Sequence, residues 1–202
     1  MNSLKEVKTK NGNIVRLLGD KNAKVLIIGV FHGDEPQGKF IIEEYLKYHR
    51  ADNLLFIPCL NPDGLELGVR VNANGVDLNR NFPTKNWQLT DKNEFFGGES
   101  AASEIETQFL IDIIEEYKPS LILTLHAPFK VVNYDGPAKE ISEKISEIIK
   151  YPVEPSIGYS TPGSFGTYAG IERQIPTITL ELDETCPVDC LLKPVHRIFE
   201  IL

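Results

Sequence analysis

The sequence is short of cysteine, of long apolar runs and of basic charge, and each shortage excludes something. Three cysteines, Cys59, Cys186 and Cys190, are too few and odd in number for a disulfide framework, and they predict the free thiols of a reducing compartment. Cys186 and Cys190 flank Pro187 with no second pair to complete a structural metal site. The apolar runs, Val25 to Phe31 among the longest, fall far below the ~20 residues that span a bilayer. A formal net charge of −8 without a basic stripe argues against nonspecific nucleic-acid binding, although local arginines can still build a pocket for an anion. The N-terminus, Met-Asn-Ser-Leu-Lys-Glu-Val-Lys, has no apolar stretch after its charges. No secretory signal is read there, so the expected compartment is the cytoplasm, with neither a membrane nor a nucleic acid as partner. Repeats, low-complexity segments and linkers are missing too, which predicts one domain over residues 1–202.

What is present is 42% hydrophobic residues, arranged in short runs that alternate between two patterns. Asn13–Leu18, Lys24–Phe31, Asn53–Cys59, Ser120–Leu125 and Thr177–Leu182 read as strands, several of them continuous enough to be buried on both faces. Pro36–Tyr48, a segment from Ser103 to Pro119, Ala138–Ile149 and a closing stretch from Pro187 to Leu202 read as helices with apolar residues near helical spacing. Ser103 and Glu106 have the spacing of a capping box. Strands interleaved with helices predict an α/β fold with a mixed, largely parallel sheet flanked by helices. Such sheets bind ligands beyond the carboxyl ends of their strands.

Four residues of acid–base or metal-ligand type stand at those ends. His32 and Glu35 follow one strand, His126 follows another, and Glu181 lies late in a third. Two histidines and a glutamate are one standard ligand set of catalytic zinc, which keeps a further position open. His-x-x-Glu also recurs by chance, and strand-end histidines are often structural, so spacing alone leaves both readings open. His49 and His196, in helical segments, are read as structural or surface residues. Between the two ligand types lies a long stretch, Asn61 to Asn93, rich in Asn, Gly, Asp and Pro. A loop of that length in a compact domain is usually functional.

The loop holds Asn61-Pro62-Asp63-Gly64, then Arg70, then Asp77-Leu78-Asn79-Arg80-Asn81-Phe82-Pro83. Together with His-Gly-Asp-Glu before it, and with His126 and Glu181 after it, this series resembles the zinc carboxypeptidase (carboxypeptidase A-like) family. The short spacing, the Ser-Glu-x-Glu-Thr at 103–107 and the compact length are most similar to its bacterial murein peptide amidase subgroup. The resemblance implies one zinc ion on His32, Glu35 and His126. It makes Glu181 the general base toward water, and Arg70 the group that polarises the scissile carbonyl. Asn79 and Arg80 would bind the substrate's terminal carboxylate, Asp77 would orient the first histidine, and Tyr159 would match a mobile tyrosine.

The implied substrate is a small peptide with a free terminal carboxylate, and the subgroup implies the γ-D-glutamyl–diaminopimelate bond of murein peptides, a recycling reaction. Asp34 stands where digestive members carry arginine, and an acid there fits an extra substrate amine. The compact length leaves the pocket open or completed by a partner chain. The alternative is a deacylase of N-acyl amino acids, of aspartoacylase or succinylglutamate desuccinylase type, which shares the zinc set and the Asn-Arg pair. A third reading is a binding module on a decayed peptidase fold. Ala127–Pro128, beside His126, is a plausible cis bond.

Overall fold

A computed structural model describes residues 3–155 and 161–202. Eight strands form one sheet: β1 (Lys5–Lys8), β2 (Ile14–Gly19), β3 (Val25–Gly29), β4 (Leu54–Ile57), β5 (Leu121–His126), β6 (Val131–Asp135), β7 (Val153–Glu154) and β8 (Thr177–Glu181). Their spatial order is β1-β2-β4-β3-β5-β8-β6-β7. The four central strands β4, β3, β5 and β8 run parallel, while β2 and β6 join them antiparallel. This is the mixed α/β sheet that the alternating pattern predicts.

Alternation along each strand sorts side chains between two layers. Val25, Ile27, Leu54, Phe56, Leu123, Leu125, Ile178 and Leu180 face a layer formed by α1 (Gln37–Tyr48), α4 (Lys139–Ile149) and α5 (Asp189–Ile201). Leu26, Ile28, Leu55, Ile57 and Ile122 face the opposite layer, which contains α3 (Ile105–Tyr117). α5 buries Leu191, Val195, Ile198 and Phe199, the centre of the apolar stripe.

The structure adds and corrects elements. β1, β6 and β7 were not foreseen. β1 is charged, and β6 and β7 are short strands defined by their pairing partners. The Asn61–Asn93 stretch is not wholly irregular: α2 (Pro62–Leu67) and a 3₁₀ turn (Leu78–Arg80) sit inside it. Gly166–Ile171 forms a π-helical turn. The capping box at Ser103 does not form. α3 begins after Glu104 with no side-chain cap, because Ser103 Oγ donates instead to Glu104 Oε1 at 2.6 Å.

Candidate metal centre and active site

β3 ends in a backbone turn that aims His32. Val30 has φ 53°, a left-handed conformation that costs a β-branched residue on the order of 1–3 kcal/mol. Asn61 holds the turn in place: its N–H donates to Val30 O at 2.9 Å, and its amide donates to Phe31 O and Arg70 O. The same side chain accepts from Gly64 N and so caps α2. Gly33 packs on this cap so closely that a Cβ there would lie 2.0 Å from the Gly64 carbonyl carbon. The Asn-Pro-Asp-Gly motif is therefore the bracket that joins the His32–Glu35 turn to the loop carrying Arg70.

His32, Glu35 and His126 converge. His32 Nδ1 lies 2.8 Å from Glu35 Oε1, and His126 Nδ1 lies 3.0 Å from Glu35 Oε2. One ligand atom from each of the three falls within 4.8 Å of the others. The far nitrogen of His32, Nε2, lies 3.1 Å from Asp77 Oδ1. Asp77 is fully buried and also accepts from Arg70 Nε and Nη2 at 3.0 and 2.8 Å and from Asn79 N at 2.8 Å. Burial pulls the His32 imidazole down, but Asp77 and Glu35 outweigh it and raise it to about 9. Burial pushes Glu35 and Asp77 up; the histidines, joined at Asp77 by the arginines, prevail and hold both far below the carboxylate range. A ring with an acid at each nitrogen suits either an extra proton or a cation on one side.

Glu181 is directly opposite His126 in the β5–β8 register. It is buried, and its Oε2 has no hydrogen-bond partner among the described residues. Burial raises its carboxyl, with the histidines lowering it and Glu35 adding to the rise. Three carboxylates (Glu35, Asp77, Glu181) against two guanidiniums leave surplus negative charge when the imidazoles are neutral. That surplus, the converging Nδ1 and carboxylate donors, and the orphaned Glu181 oxygen fit a divalent cation.

His32, Glu35, Arg70, His126 and Glu181 line a cavity of about 390 Å³ that also takes in Asp34, Asn79 and Arg80. Asn79 Oδ1 accepts from Phe165 N at 2.9 Å, and buried Arg80 donates to Asn79 O at 2.7 Å. Asp34 is at the exposed rim. Tyr159 lies outside the described residues. His49 stacks on Tyr45 and His196 bonds Ile41 O, both away from the cavity. The Ala127–Pro128 peptide is cis.

Three features were not foreseen. Phe95 lies 5.2 Å from the Arg70 guanidinium, ring to cation, and Asn133 and Asp135 of β6 line the cavity; with β6 unrecognised, their alternate positions carried no signal. The turn between Arg70 and Asp77 is also clamped. Asn72 Oδ1 accepts from Asn74 N and Val76 N, while Asn72 Nδ2 donates to Glu104 Oε2 at 2.8 Å and reaches Glu106 at 3.4 Å. Burial, then the nearby Glu104 and Asp63, push the Glu106 carboxyl up to about 7.

A family model described as zinc carboxypeptidase matches residues 4–146. The chain belongs to the zinc carboxypeptidase family. It is therefore a hydrolase acting on peptide bonds, from a family of zinc enzymes. The matched segment contains His32, Glu35, Arg70, Asp77, Asn79, Arg80 and His126; Glu181 lies beyond it. The chain is 33% identical over 175 residues to murein peptide amidase A of Escherichia coli (strain K12), covering 77% of this chain and 69% of that protein. It is 34% identical over 180 residues to murein peptide amidase A of Vibrio campbellii, covering 81% and 71%. The crystal structure of murein-tripeptide amidase MpaA from Escherichia coli O157 superposes with a TM-score of 0.83 at 26% identity, over 96% of this chain and 88% of that one. No helix among the described residues is long and apolar enough to cross a membrane.

Proposed function

We propose that this chain is a zinc-dependent amidase that cleaves the γ-D-glutamyl–diaminopimelate bond of murein peptides, in the cytoplasm. The observation that carries the reading is that Asn79 and Arg80, an amide and a guanidinium of the kind that can take a carboxylate, line the same cavity as a His-Glu-His cluster and a buried glutamate whose Oε2 has no partner among the described residues. The identity to murein peptide amidases supports the choice of bond.

His32, Glu35 and His126 are the residues that would hold one zinc ion, which when bound supplies Lewis acidity that polarises a carbonyl and acidifies water. Glu181 takes a proton from the attacking water and passes it to the leaving amine; its raised affinity for a proton suits the double duty. Arg70 stays charged at any working pH, so it can steady the oxygen that gains negative charge as the carbonyl becomes tetrahedral. The Arg80 fork and the Asn79 amide take the terminal carboxylate of the leaving residue. Asp77 fixes the His32 ring through Nε2 and steadies Arg70 through its other oxygen.

The test is direct. Zinc-loaded protein is incubated with L-alanyl-γ-D-glutamyl-diaminopimelate and the release of diaminopimelate is followed by mass spectrometry. Release that stops on Glu181→Gln supports the reading. An intact tripeptide alongside cleaved ordinary C-terminal peptides, or cleaved N-acyl amino acids, overturns it.

A further inference from the structure

Arg70 and Asp77 stand at the two ends of one tight turn. Asn72 N donates to Val76 O and Gly75 N to Asn72 O, both at 2.9 Å. Asn72 Oδ1 accepts from Asn74 N and Val76 N at 3.0 and 3.1 Å. These bonds shape the turn from within but do not place it in the domain. Its two ends are tied to other segments: Asn61 Nδ2 and Gly33 N donate to Arg70 O, and Asp77 N donates to Phe96 O at 2.8 Å. Its tip is tied to Glu104. Glu104 Oε2 accepts from Asn72 Nδ2 at 2.8 Å and from Asn74 Nδ2 at 2.7 Å, and Oε1 accepts from Ser103 Oγ at 2.6 Å.

Glu104 is buried and immediately precedes α3, whose Phe109, Leu110 and Ile113 are locked in the core. Its N–H donates to Asn81 Oδ1 at 3.2 Å, and the Asn81 amide donates in turn to Gly97 O at 2.7 Å and Ser103 Oγ at 3.0 Å. One residue at a fixed helix start therefore holds both arms of the loop. Its side chain holds the turn between Arg70 and Asp77, and its backbone holds the residue after Arg80. A buried carboxylate with three donors is costly to disturb, because each donor loses its acceptor out of reach of water.

The turn matters because of what Arg70 has left to offer. Asp77 Oδ2 takes Nε and Nη2, so Nη1, 3.8 Å from Glu35 Oε1, is the edge that faces the metal cluster. A donor aimed at developing negative charge works only when it is set in place beforehand, and a misplacement of ~1 Å can cost ~10²-fold in rate. Glu104 does not line the cavity. It acts from behind, through Asn72.

We propose that Glu104 is a positioning residue: by gripping the Asn72 and Asn74 amides it sets the turn that places the Arg70 guanidinium against the reacting carbonyl oxygen.

The kinetic arm of the test rests on the amidase reading, and a spectroscopic arm does not. Asn72→Asp keeps Oδ1 for the turn's own N–H groups and puts an oxygen against Glu104 where the amide donor stood. In zinc-loaded protein, kcat toward L-alanyl-γ-D-glutamyl-diaminopimelate should fall by about tenfold or more while KM stays within about threefold. Adding Glu104→Gln moves the donor to the other side of the same contact, and the double variant should recover kcat to within about threefold of the parent. The second arm follows the Arg70 Nε–H in heteronuclear NMR, with or without zinc. Asn72→Asp should shift this signal and speed its exchange with water, and the double variant should return it. Asn74→Ala, at an exposed position, should show the same changes in smaller measure and decides the matter if Asn72→Asp does not fold. No cleavage by the parent, with the Arg70 signal responding as described, defeats the amidase reading and keeps the Glu104 assignment. An Arg70 signal unmoved in the folded single variants, a lowered melting temperature with parental kcat, or a kcat loss that the double variant does not recover overturns the Glu104 assignment.

Discussion

The two faces of the sheet are built from alternate residues of the same strands, yet they differ in kind. The face toward α1, α4 and α5 is hydrocarbon through its buried cluster from Val25 to Phe199, apart from the Tyr45 hydroxyl. The face toward α3 starts as hydrocarbon at Leu26 and Ile122 and turns polar at the strand ends, with His126, Glu181, Asn133 and Asp135. A closed apolar layer needs no partners beyond shape. A polar layer has buried groups to satisfy, and here the loop from Asn61 to Asn93 supplies Asp77 and Arg70 for the His32 side, while Glu181 Oε2 has no partner among the described residues. Stability is thus expected to depend mainly on the first face, and chemistry on the second.

The sharpest way to separate them is Glu181→Gln. It should lower kcat by about 10²–10⁴ while leaving the unfolding transition and the zinc content, read by atomic absorption, close to the parent. Equal losses of activity and stability would erase the distinction between the faces. Phe199→Ala does the converse: the ring is 1% exposed, so removal should cost about 3–5 kcal/mol in denaturant unfolding. Activity per folded molecule should hold. Asp77→Asn removes the acid behind His32 and should weaken zinc binding by roughly 10- to 100-fold in a chelator competition, with a smaller change in stability.

The smallest expected effect is pH-dependent and lies under the polar face. Burial pushes the Glu106 carboxyl up to about 7 in the fold, from the ordinary glutamate value of about 4.5. Between those pH values the unfolded chain releases this proton and the folded chain keeps it, so this group's contribution to stability falls as pH rises through that window and is flat above it. Glu106→Gln removes the dependence. Its melting temperature should match the parent near pH 4 and exceed it by a few degrees at pH 8; parallel curves for the two proteins would count against a buried neutral acid at this position.

The parts of the fold legible in the sequence are those whose signal is local. β3, β4, β5 and β8 are continuous apolar runs, and the helices carry their own period. The His32, Glu35, His126 and Glu181 positions could be picked out because they follow or end such runs. β6 could not be, since Val-Val-Asn-Tyr-Asp becomes a strand only by pairing with β8, and Asp135 was hidden with it. The Ser103–Glu106 spacing misled for a related reason: Ser103 and Glu106 are drawn into contacts with Glu104 and Asn72, side chains that a local pattern does not weigh.

By itself, the sequence determined the alternation of strands and helices, the ligand types at the strand ends and the motif-bearing loop, because periodicity and residue chemistry are properties of neighbours along the chain. The tertiary structure alone decided that Glu35 stands between two histidines, that Asp77 holds both His32 and Arg70, and that Asn133 and Asp135 of β6 line the cavity. Those arrangements depend on contacts such as Glu35–His126 and His32–Asp77, 91 and 45 positions apart, which are fixed by sheet register and by the Asn61 bracket and exist only once the chain has folded.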